Sequence, residues 1–239
     1  MRTPERLVKA KTSPRLHLLS SSASVRQMIK KIDDLENSGV PVMYPEGSLL
    51  FAEGHPAKGV FILRSGAVKL SACSREGRTV IVTIAGRGDI LGLADVFSGI
   101  DHDLTAEAIE TTEAAFLGKV DFLNLMRGSE QIGLTVVRQL SRDCHSVYDN
   151  IRCLSASSIS ERMARLIVHW LERPMSEPGS METLLRVPLT HEEIAQAIGS
   201  TRETVSRTLM EFRHKKLISI NGTEWTITNG AALHRLAAA

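Results

Sequence analysis

Arg202, Glu203, Ser206 and Arg207 fall within one short stretch, and each is a side chain type that can read the edge of a nucleic-acid base. An arginine presents a planar fork that bonds bidentately to guanine O6 and N7, and a carboxylate accepts from cytosine N4. Each such pair discriminates by roughly 1–3 kcal/mol. A serine hydroxyl contacts several bases and specifies weakly. The chemistry on offer is therefore recognition of double-stranded DNA, provided that a rigid element carries the four side chains into a groove.

The residues around them supply that element. Thr190-x-x-Glu193 and Ser200-x-x-Glu203 each place a hydroxyl three residues before a carboxylate, the reciprocal signature of a helix start. Gly199 lies between them, where a helix end needs a residue tolerant of positive φ. Ile194, Ala195 and Ile198 form the apolar stripe of a first helix, and Val205, Leu209 and Phe212 that of a second. Two short helices with a glycine in the turn predict a helix-turn-helix, with a recognition helix over 201–212 that reads a major groove. Glu203 has two roles open to it, base contact and completion of the capping box with Ser200. Arg213, Lys215 and Lys216 follow at the helix end, where cations either offset the macrodipole or contact phosphates.

The chain has 239 residues, 43% hydrophobic and 23% charged, enough for two modest cores. No apolar run approaches a membrane span and no signal peptide is read at the N-terminus. Three scattered cysteines, Cys73, Cys144 and Cys153, argue against a disulfide framework and fit a cytoplasmic protein. Charge is uneven: residues 1–31 hold eight basic residues and one acidic, 32–155 eleven and seventeen, and 156–239 ten and nine. Nucleic-acid binding must then come from placement of Arg and Lys, because the C-terminal part is not broadly basic. Residues 1–25 read as a basic flexible tail, either a solvated arm or an accessory phosphate contact. A short helix is predicted over Val25–Glu36.

From Val40 to Leu117 short β-rich runs alternate with glycine turns: Gly59–Arg64, Ala67–Ser71 and Thr79–Ala85 are examples. This pattern predicts a jelly roll. Residues 121–154 read as helix. Val137, Leu140, Cys144, Val147, Ile151 and Leu154 recur at alternating spacings of three and four, the narrow seam of a parallel dimer helix flanked by polar residues such as Arg138 and Gln139. A lone helix packed on its own domain would show a wider stripe. Ser155–Ser158 reads as a hinge, Ile159–Glu172 as a further helix and Arg173–Ser180 as a loop. Alternating runs around Asn221-Gly222 predict a β-wing after the recognition helix. The expected fold class is α+β: an N-terminal double-stranded β-helix (jelly roll), a long dimerisation helix and a C-terminal winged helix-turn-helix. The expected domains are 1–25, 26–120, 121–155 and 156–239.

A β-roll, a long helix and a winged helix-turn-helix in that order resemble the CRP/FNR family of bacterial transcription regulators, over residues 40–230. The most specific likeness is Gly199-Ser-Thr-Arg-Glu-Thr-Val-Ser-Arg207. The resemblance implies base contacts from Arg202, Glu203 and Arg207 and phosphate contacts near Thr190, Thr201 and Thr204, with Lys215 and Lys216 as further phosphate candidates. Glu203, Ser206 and Arg207 are similar to the FNR-like branch, whereas an Arg before the Glu is similar to the catabolite-activator branch. RNA polymerase is an implied partner, through the Arg173–Arg186 loop.

In cyclic-nucleotide-binding members of that family a Gly-Glu pair and a downstream Arg-Ser/Thr-Ala hold the ribose and phosphate. Here Gly92 and Thr105-Ala106 match the frame, but Leu93 stands in place of the Glu and Leu104 in place of the Arg. No Arg or Lys occurs between Gly88 and Gly118, while Asp101 and Asp103 would repel a phosphate. Burying that anion without a cation is costly. No cyclic nucleotide, metal or other cofactor is expected. An iron–sulfur cluster of the FNR type would need cysteines before Cys73, and His55, His102 and His145 show no ligand spacing. Cys144 reads either as a small apolar seam residue or as a redox-sensitive intersubunit thiol. The expectation is a homodimeric, sequence-specific DNA-binding regulator acting on a palindrome, and not an enzyme. The alternative is a β-roll that senses a small molecule or redox state and gates DNA binding.

Overall fold

The computed structural model describes residues 37–172 and 184–238, the side chains of 153–156 and 172 excepted. The basic tail, the helix expected over Val25–Glu36, the Arg173–Ser180 loop and the Leu154 side chain therefore lie outside the described residues.

The glycine-punctuated region folds into strands β1 (Val40–Tyr44), β2 (Leu49–Phe51), β3 (Gly59–Ser65), β4 (Ala67–Cys73), β5 (Thr79–Gly86), β6 (Ile90–Leu91), β7 (Thr105–Ala108) and β8 (Thr112–Gly118). They pair antiparallel in two four-stranded sheets, ordered β1-β8-β3-β6 and β2-β7-β4-β5. This is the expected jelly roll. Chain-adjacent β3 and β4 belong to different sheets, so the chain turns sharply at Gly66, whose φ is 80°. A Cβ at Gly66 would collide with the Thr112 side chain and lie 2.6 Å from Thr112 Cα, which only glycine avoids.

Val60, Phe61, Ile62 and Leu63 are buried in succession, because β3 is covered on both faces. Phe61 and Leu63 meet Val68, Ala106 and Ala114 between the sheets. Val60 and Ile62 meet Phe122, Ile132 and Val136 of the helices behind them.

Helix α1 (Leu93–Ser98), unforeseen in the β-rich region, starts at Gly92 and ends at Gly99, both in left-handed conformation. The single helix expected over 121–154 is two: α2 (Lys119–Gly128) and α3 (Glu130–Ala156). Ser129 is extended (φ −142°, ψ 105°) and its hydroxyl accepts from Ile132 N–H, restarting the helix. Gln139, expected as a polar flank of the seam, is buried against the roll. It accepts from Ile90 N–H at 3.2 Å and donates to Ile90 C=O at 3.0 Å, fastening α3 to the roll.

After a two-residue break at 157–158, α4 (Ile159–Glu172) opens on a further capping box. Glu161 N–H donates to Ser158 Oγ, and Ser158 N–H to a Glu161 carboxylate oxygen. Strand β9 (Leu184–Arg186), read as loop from the sequence, precedes α5 (His191–Ile198) and α6 (Arg202–His214). The wing, β10 (Ile218–Asn221) and β11 (Glu224–Ile227), turns through Gly222 and Thr223, and β9 adds to it as a third strand. Helix α7 (Gly230–Ala237), capped by Asn229, closes the chain and was also not foreseen. Met163, Ile167, Ile194, Val205, Leu209, Phe212 and Trp225 share one core. Ala67, Ile81, Ile84 and Ile109 of the β-roll pack into the same cluster. No helix among the described residues is long and apolar enough to cross a membrane.

Candidate nucleic-acid interface

The first capping box forms as its spacing dictates. Glu193 N–H donates to Thr190 Oγ1 at 3.2 Å, and Thr190 N–H and Oγ1–H each donate to Glu193 Oε2 at 2.9 Å. Gly199 ends α5 at φ 62°, and the N–H groups of Gly199 and Ser200 both donate to Ala195 C=O.

The second expected box does not form. Ser200 is used to close α5, so α6 starts one residue later on Thr201, whose Oγ1 accepts from Thr204 N–H at 3.3 Å and pairs with Thr204 Oγ1 at 3.0 Å. Glu203 therefore has no share in the cap. It is exposed beside Arg202 and Arg207 on the first turns of α6, while Val205, Leu209 and Phe212 are buried beneath. Each of the three exposed side chains is long enough to reach a base edge from a helix lying in a groove. Ser206 is half-buried, and its Oγ lies 2.8 Å from His191 Nδ1 at the start of α5. His191 was missed in the sequence because its partner is fifteen residues away on another helix.

Thr190 and Thr201 are exposed at the two helix N-termini, where unpaired N–H groups and the positive end of the dipole favour anions. Lys215 and Lys216 are exposed at the far end of α6. Lys216 is left-handed (φ 52°), held by its own N–H to Arg213 C=O and by Thr228 Oγ1, which donates to Lys216 C=O at 2.7 Å.

Of the seam residues, Val137, Cys144, Val147 and Ile151 are exposed, Val137 and Ile151 by more than half (56% and 59%). Leu140 is half-buried against the core behind β3. One face of α3 thus covers its own roll through Ile132, Val136 and Gln139, and another offers the apolar stripe of Val137, Val147 and Ile151 to solvent. A hydrogen bond between Cys144 and Tyr148 raises the tyrosine pKa above its usual value.

The four residues expected around a degenerate effector pocket are divided. Gly92 caps α1 and Leu93 is buried beneath it, while Leu104 is half-buried. Thr105 instead lines a different space, a cavity of about 380 Å³ between the roll and α5 that also touches Lys69, Glu107 and Glu193. Its Oγ1 accepts from Glu53 N–H at 3.1 Å. Beside Gly92 sits His102, which is buried. Its Nδ1 is 2.7 Å from Asp95, and its ring stacks on Phe51 with centroids 3.9 Å apart. The sequence held no sign of the stacking on His102, since Phe51 comes from a distant strand. No cluster of three or more His, Cys, Asp or Glu able to hold a metal occurs among the described residues.

Comparison with known proteins places both halves. Residues 41–129 match the model of a cyclic nucleotide-binding domain, and residues 161–236 that of a Crp-like helix-turn-helix domain. A CRP-like cAMP-activated global transcriptional regulator of Mycobacterium tuberculosis is 30% identical over 199 residues, covering 82% of this chain and 88% of the relative. The fumarate and nitrate reduction regulatory protein of Escherichia coli K12 is 27% identical over 209 residues, 87% of this chain and 82% of that one. The solved structure of FixK2 from Bradyrhizobium japonicum superposes with a TM-score of 0.76 at 24% identity, over 84% of this chain and 98% of that chain.

Proposed function

The chain belongs to the CRP/FNR family of DNA-binding transcription regulators, and we propose that its working form is a homodimer that reads a palindromic site through α6. The observation that carries this reading is the exposed array of Arg202, Glu203 and Arg207 on a helix start whose opposite face is buried. Arg207 and Arg202 take guanine, Glu203 takes cytosine, and Ser206 adds a weaker contact. Thr190, Thr201, Thr204, Lys215 and Lys216 meet phosphates and set the register. The exposed stripe of Val137, Cys144, Val147 and Ile151 supports pairing of two copies through α3, with Leu140 completing the seam among the described residues. In that assembly residues 26–120 form the sensor-like unit, 121–155 the dimerisation segment and 156–239 the DNA-binding unit. Residues 1–25 lie outside them, and RNA polymerase is the further partner.

In this reading DNA binding does not depend on a cyclic nucleotide held in the family's usual way. The region that would hold the cyclic phosphate has no Arg or Lys between Gly88 and Gly118, and the Asp95–His102 pair fills space beside Gly92. A second reading, in which the roll gates DNA binding by taking an effector, draws support from the match to a cyclic nucleotide-binding domain and from a relative that is cAMP-activated. Titration calorimetry with cAMP and cGMP, beside DNA binding with and without each, separates the two. The first reading expects no heat and unchanged DNA affinity; saturable heat with a tenfold tighter complex would favour the second.

A further inference from the structure

Lys69, on β4, reaches from the β-roll to the helix-turn-helix. Its Nζ donates to Glu193 Oε1 at 2.7 Å and lies 3.0 Å from Glu107 Oε1 on neighbouring β7, with 14% of the lysine side chain exposed. Glu193 divides its two oxygens between two tasks. Oε1 meets the roll, and Oε2 holds Thr190 and so the start of α5. Burial pushes the Glu193 pKa upward, but hydrogen bonds from Lys69 and Thr190 overcome this and hold it below its usual value. The ion pair is seated on apolar contact, since Ile81 and Ile84 of β5 share the core of the DNA-binding unit.

We propose that Lys69 is a positioning residue for DNA reading, fixing the helix-turn-helix to the outer face of β4 and β5 so that α6 stands at a set place relative to the seam on α3. Along the chain the two parts are joined through the two-residue break at 157–158, about which an unanchored head would pivot. A reader of two half-sites about 34 Å apart needs both heads held at that separation before it meets the DNA. Lys69 supplies the second anchor, and it does so while Arg202, Glu203 and Arg207 stay exposed. Glu107 ties the same anchor to β7, the strand that also carries Thr105.

This inference rests on the dimeric, palindrome-reading function proposed above, and its test separates the two. Full-length wild type, Lys69→Met and Lys69→Arg are compared on the selected palindrome, on the same palindrome with the spacer changed by one base pair, and on a single half-site at low salt. Lys69→Met is expected to bind the palindrome about tenfold more weakly, equivalent to about 1.4 kcal/mol. Its binding to altered spacers and to the half-site should stay within about twofold, so that spacing preference collapses while base reading persists; Lys69→Arg should restore the preference. Equal losses on all three targets, no loss, or tighter binding by Lys69→Met would each overturn the positioning role. Absence of any spacing preference in the wild type would instead overturn the palindromic reading, and the positioning role with it.

Discussion

On α6, what separates specifying DNA from merely attracting it is the atom that each side chain meets. With Arg207 taking guanine as proposed, Arg207→Ala should lower binding to the selected site by about 1–3 kcal/mol and relax base preference at that position. With Lys216 meeting a phosphate as proposed, Lys216→Ala removes one charge from that contact. It should weaken all sequences alike and reduce the salt dependence of binding by about one counterion, as a salt series would show. His191 and Ser206 act together if their 2.8 Å contact sets the direction of the serine hydroxyl. A double-mutant cycle should then find that His191→Ala changes base preference in the wild type and has little further effect in Ser206→Ala. Additive effects would separate the two residues. The exposed placement of Arg202, Glu203 and Arg207 on the first turns of α6 was legible in the sequence because it depends on local pattern. The His191 contact was not, and the cap on α6 was misplaced because Ser200 and Thr201 are adjacent hydroxyls competing for one role. The ending of α5 decides between them by taking the Ser200 N–H.

Among the elements, α3 and the turn at Gly199 carry the clearest consequences. A charge at Ile151, on the exposed stripe, should separate two copies without unfolding either, because that residue has little burial of its own to lose. Ile151→Asp is expected to give a folded monomer by sedimentation, with DNA binding reduced at least tenfold. Gly199→Ala forces a Cβ into left-handed backbone (φ 62°) and should cost about 1–2 kcal/mol, lowering the Tm by a few degrees. The seam spacing was readable in the sequence, but the break at Ser129 was not, since it interrupts an otherwise helical pattern for a single residue. The buried side of α3 was also hidden: Gln139 is polar, and only the free backbone of β6 makes it a core residue. Strand β9 is three residues long and owes its state to pairing with β11, which local pattern cannot report.

For the whole molecule, the joint between roll and helix-turn-helix is the feature furthest from sequence, since Lys69 and Glu193 are 124 positions apart. Its pH behaviour follows from the two shifts. Glu193 is lowered overall, so its stabilising part is present above the ordinary carboxylate value of about 4.3 and is lost as pH falls through the lower folded value. Lys69 is desolvated, yet hydrogen bonds to Glu193 and Glu107 raise it overall. Its part is present below about 10.4 and lost as pH rises through the raised value. A Tm gap between wild type and Lys69→Met should thus hold at neutral pH and close in acid, which melting curves across pH would show. Whether the protein reads DNA as a two-fold dimer is tested by selection of bound sequences from a random pool with the full-length protein. An inverted repeat with half-sites one helical turn apart is expected, its base preference relaxed in Arg207→Ala. Enrichment of no sequence, or of a single unrepeated motif, would contradict two-fold reading.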